Sequence, residues 1–77
     1  MRTFDKVGNK WISRSFIKST YIDDVLGEYK EKYQTAQIDT RFAFRSYDIE
    51  EDGEYYDIVI TFNNDADECE FIIRESV

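Results

Sequence analysis

The chain has no histidine and no proline, a single cysteine and only three glycines in 77 residues. Without histidine, the commonest general base and the commonest zinc ligand are both missing. One cysteine, Cys69, can build neither an internal disulfide framework nor a zinc ribbon. Gly8, Gly27 and Gly53 stand isolated, so no glycine-rich loop is available to cradle a phosphate. Apolar runs such as Ile58-Val59-Ile60 are three residues long, far short of the ~20 that a membrane-spanning helix needs. No apolar stretch of secretory-signal length follows Arg2. The location expected from this is the cytoplasm of the producing or host cell.

What is present is a small, charged, aromatic-rich domain: 42% hydrophobic, 35% charged and 17% aromatic. The length allows one domain, residues 1–77. A chain of this size buries only ~60% of its unfolded surface. The aromatic share argues against intrinsic disorder, which is usually poor in Phe, Tyr and Trp.

Charge is unevenly distributed. Residues 1–20 carry Arg2, Lys6, Lys10, Arg14 and Lys18 against Asp5, a net of +4; residues 21–45 are near balance; residues 46–77 carry eleven acids against Arg74, a net of −10. The total is −7. Such a pattern bears on solubility and partners rather than on fold. The acids either keep copies apart or form a surface that meets a basic partner.

The hydrophobic pattern predicts an α+β domain. Ile22, Val25, Leu26, Tyr29, Tyr33 and Ala36 recur at helical spacing. A helix from Tyr21 to Ala36 is expected, capped by Ser19 or Thr20, and Gly27 suggests close packing against a sheet. Residues 40–74 read as a three-stranded antiparallel meander: Thr40–Glu50, Tyr55–Phe62 and Glu68–Arg74, with turns at Glu51-Asp52-Gly53 and residues 63–67. A three-residue loop would pair Phe44 with Ile60 and Phe42 with Phe62. One face would then gather Phe42, Phe44, Ile58, Ile60, Phe62, Cys69, Phe71 and Ile73. The other would carry Ala43, Tyr47, Ile49, Tyr55, Val59 and Ile72. Residues 1–18 read as a hairpin around Val7-Gly8-Asn9-Lys10 or as an extended ribbon, although the five basic residues at spacing four fit one side of a helix equally well. The expected order is ββαβββ, one helix packed on the meander.

No motif fixes a chemistry. Asp48-x-Glu50-x-Asp52-Gly53 matches the first half of a calcium loop, but the twelfth position is Val59 where a bidentate acid is required. Paired carboxylates abound, yet they cluster at turns where water keeps them ionised, so no enzyme, cofactor or metal is expected. The −10 segment repels phosphate, which argues against direct nucleic-acid binding.

Capture of a basic protein surface fits the pattern better. The candidate contact residues are Asp48, Glu50, Glu51, Asp52, Glu54 and Asp57 at the first hairpin, with Tyr47, Tyr55 and Tyr56 as anchors, and Asp65, Asp67, Glu68 and Glu70 at the second. Ten net charges along a strand of ~17–20 Å approach the duplex density of one per ~1.7 Å. The leading expectation is an inhibitor or modulator that occupies a nucleic-acid-binding surface, as a monomer or homodimer. By class, small acidic domains of this kind are common among phage and mobile-element accessory proteins. The alternative is a structural subunit that self-associates, or joins a larger complex, through its aromatic sheet face.

Overall fold

The computed structural model describes residues 3–75. The order is β1 (Phe4–Val7), β2 (Lys10–Ser13), β3 (Ile17–Lys18), α1 (Ser19–Lys32), β4 (Gln37–Ser46), β5 (Gly53–Thr61) and α2 (Asp65–Glu75). The α+β class and the progression from N-terminal hairpin through helix to antiparallel strands are as expected. β1 and β2 pair around the Gly8 turn, where φ of +64° suits glycine. The hairpin joins the sheet in its own plane. β2 and the short β3 line up along one edge of β5, and β4 lies along the other.

Both helices occupy one sheet face. Ile22, Val25 and Tyr29 of α1, with Tyr33 just beyond it, pack onto Ile17, Ile38, Ile58 and Ile60. This is the apolar stripe read from the sequence. The helix is shorter than expected, ending at Lys32, and Lys18 rather than Ser19 or Thr20 holds the cap position without a side-chain bond. Gly27 is exposed, with nothing within 4 Å of where a Cβ would sit, so it marks no close approach.

Residues 68–74 are helical, not a third strand. Asn64 Oδ1 accepts the Asp67 backbone N–H at 2.9 Å, which caps α2. Asp65, Asp67 and Glu68 favour its first turn and Arg74 its last. The alternation of Cys69, Phe71 and Ile73 that suggested a strand is not the face the chain uses. Glu68, Phe71 and Glu75 turn inward at helical spacing, while Cys69 and Ile73 are exposed. Phe71 is the anchor. It is 1% exposed and meets the rings of Phe4, Trp11, Tyr33 and Phe62 at 5.1–5.5 Å.

The β4–β5 register also differs from expectation. Ile38 faces Ile60, Phe42 faces Tyr56 and Phe44 faces Tyr55, with a bulge between Phe42 and Phe44. The loop therefore runs over residues 47–52, and the strand resumes at Gly53, whose φ of +145° disfavours other residues. Two observations account for the choice. Ile38 enters the core, and the cross-strand neighbours Arg41–Asp57 and Arg45–Glu54 carry opposite charges. The bulge sends Phe42 and Phe44 to opposite faces, and both remain exposed.

Candidate functional site

Long strands carry the 47–52 loop to one end of a molecule measuring 43 × 21 × 21 Å. The radius of gyration, 13.1 Å, exceeds the ~11.5 Å of a compact domain of this length. At this tip, Asp48, Glu50, Glu51 and Asp52 are all exposed. Among them stand two large apolar side chains: Tyr47 is 80% exposed and Ile49 is 99% exposed.

The loop has internal order despite its exposure. Glu51 N–H donates to Asp48 O at 3.2 Å, and the Tyr55 hydroxyl donates to Glu51 O at 2.9 Å. The Arg45 guanidinium lies 5.3 Å from the Tyr47 ring centroid and within 3.6 Å of Asp52 and 3.8 Å of Glu54. Arg45 thus draws the base of the loop together. Asp48, Glu50 and Asp52 do not converge: no group of acids able to hold a metal ion exists among the described residues.

The structure gathers Tyr47, Asp48, Glu50, Glu51 and Asp52, with Glu54 at their base, and disperses the other candidates. Tyr55 stacks on Phe44 at 4.9 Å. Tyr56 lies on the covered face beside Phe42 and donates to Glu54, which raises the phenol pKa. Asp57 is buried and bound to Arg41 at 2.9 Å, so it is not a surface acid. Asp65, Asp67, Glu68 and Glu70 belong to α2, at the far end of β5, roughly 26 Å away by strand rise. Most are engaged within the chain: Asp67 with Thr35 and Asn64, Glu68 with Trp11 and Lys6, Glu70 with Arg74. The acids therefore do not line one strand at duplex density.

Two exposed features were absent from the sequence-based candidates. Ile49 was assigned to a sheet face rather than a tip. Phe16 is 54% exposed and meets Phe44 edge-to-face at 5.0 Å. With Ile12, Tyr55 and Val7 it forms part of the sheet face that carries neither helix. No family model, curated protein or solved structure matches the chain. No helix among the described residues is long and apolar enough to cross a membrane.

Proposed function

We propose that this is a non-enzymatic binding protein whose acidic hairpin tip engages a basic protein surface. The supporting observation is Ile49, 99% exposed beside Tyr47 in a loop of four acids. An isolated surface isoleucine is unremarkable. One paired with an exposed tyrosine, held on an ordered loop and ringed by one charge sign, has the makeup of an interface anchor with a polar rim. The acids steer association and compete with phosphate for the partner's lysines and arginines. Inhibition of a nucleic-acid-binding protein is the finer form of this reading.

The test is capture from host lysate at low and high salt, with two variants. One reverses Asp48, Glu50, Glu51 and Asp52 to Lys; the other changes Tyr47 and Ile49 to Ser. A partner lost with both variants, weakened by salt and displaced from nucleic acid by the wild-type protein supports the reading. A partner retained by both moves the site elsewhere. Assembly through the open sheet face is the second reading, favoured by the exposed Phe16–Phe44 pair.

A further inference from the structure

We infer that β4 is a self-pairing edge, and that two copies join antiparallel through it about a two-fold axis at Thr40. β4 hydrogen-bonds to β5 on one side only, and nothing pairs with its other side among the described residues. It is ten residues long, and only Ile38 along it is buried. An open edge of this length is a template for another strand. Proline and lysine, the usual blunting residues, do not occur in it. The bulge after Phe42 leaves residues 37–42 as a regular segment.

The sequence of that segment identifies the occupant. With Thr40 opposite Thr40 of a second copy, Asp39 faces Arg41, Arg41 faces Asp39, and Ile38 and Phe42 face each other. The Asp39–Arg41 ion pair thus forms twice by symmetry, as an isologous contact requires. Phe42, 55% exposed in the single chain, gains an apolar neighbour. The adjacent registers that keep like faces together place Asp39 against Asp39, or Arg41 against Arg41. Like charges directly opposite destabilise a pair, so complementarity selects one register and rejects its neighbours. Outward N–H and C=O groups alternate along a strand, and a two-fold centred on a residue lets them bond reciprocally. Arg41, already 2.9 Å from the buried Asp57, would then bridge two carboxylates. The paired sheets keep all helices on one side and send the two acidic tips to opposite ends. This inference does not depend on what the tip binds.

Light scattering on the full chain at low salt tests it, and twice the chain mass is expected. Asp39→Arg sets like charges together at both symmetric contacts. It should give a monomer with an unchanged circular dichroism spectrum, since Asp39 is exposed. In a Cys69→Ser background, Thr40→Cys should cross-link to its own copy on oxidation, because directly opposed residues bring their Cβ atoms to ~4.5–5.5 Å. Arg45→Cys in the same background should not, since its symmetry mate lies ten residues along the strands, roughly 33 Å away. A wild-type monomer, a dimer indifferent to Asp39→Arg, or equal cross-linking of both cysteine variants would each overturn the inference. Tip charges are untouched throughout, so partner capture by the tip is scored separately.

Discussion

The Ser13 hydroxyl oxygen accepts the Ile58 backbone N–H at 3.0 Å, in the gap between the end of β2 and the start of β3. Both short strands lie along the same edge of β5, and neither supplies a backbone partner at this point. Ser13 is 4% exposed and Ile58 fully buried. Ser13→Ala leaves a buried donor unsatisfied, which costs about 1–3 kcal/mol. Chemical denaturation should show this loss, and amide exchange should show it concentrated at Ile58. Ser13→Thr keeps the oxygen and should recover most of the stability if the extra methyl is accommodated.

Phe71→Ala should be the more damaging change. It removes a side chain on which four other rings converge, at an expected cost of about 3–5 kcal/mol. A domain of this length has total stability of about 4–12 kcal/mol, so little margin remains. α2 buries no other residue as fully. Its amides should therefore lose protection before those of β5, which hydrogen exchange followed by mass spectrometry resolves.

The elements legible in the sequence were those with one dominant period. The stripe Ile22–Val25–Tyr29 leaves no alternative to a helix, and Gly8-Asn9 between β-prone segments marks a turn. α2 was hidden because Cys69, Phe71 and Ile73 alternate as a strand would, while its inward face mixes one phenylalanine with two glutamates. The Asn64 cap and the acids after it were the overlooked signal. The β4–β5 register failed for a different reason. A three-residue loop aligns the aromatic residues of the two strands, whereas the attraction between Arg41 and Asp57 distinguishes the observed register. The tip was legible as an acidic turn, but the exposure of Ile49 depended on that register. Charge totals also concealed pairing: Lys6 and Lys32 neutralise Glu68 and Glu75 across the fold.

Acid should loosen the contact between α2 and the N-terminal hairpin. Trp11 Nε1 donates to Glu68 Oε2 at 2.8 Å and Lys6 lies 3.0 Å from the same oxygen. The indole bond first, then Lys6, holds the Glu68 carboxyl below the ordinary glutamate range. A depressed folded-state pKa gives stability that is present above the unfolded pKa and lost as pH falls through the folded value. Glu68→Gln should flatten this part of the acid denaturation profile. Tryptophan fluorescence reads the contact directly, and an unchanged acid profile in the variant would assign the loss to other carboxylates.

At the alkaline end, Tyr33 should contribute a second transition. It is 5% exposed, and its hydroxyl donates to Glu75 Oε1 at 3.1 Å. Burial, reinforced by the Glu75 charge and hydrogen bond, pushes its pKa well above the ordinary value of 10.0, although Arg74 opposes the shift. A raised folded-state pKa leaves stability intact below the unfolded pKa; it is lost as pH climbs from there through the folded value. The unfolded chain ionises Tyr33 first, so unfolding becomes progressively easier above about pH 10. Tyr33→Phe keeps the ring that packs on Phe62 and Phe71 but removes the proton. The variant should be less stable near neutrality, where Glu75 loses a donor, yet show a shallower decline at high pH. Denaturation midpoints measured across the alkaline range for both proteins decide this: parallel declines would assign the transition to other tyrosines or to lysine neutralisation.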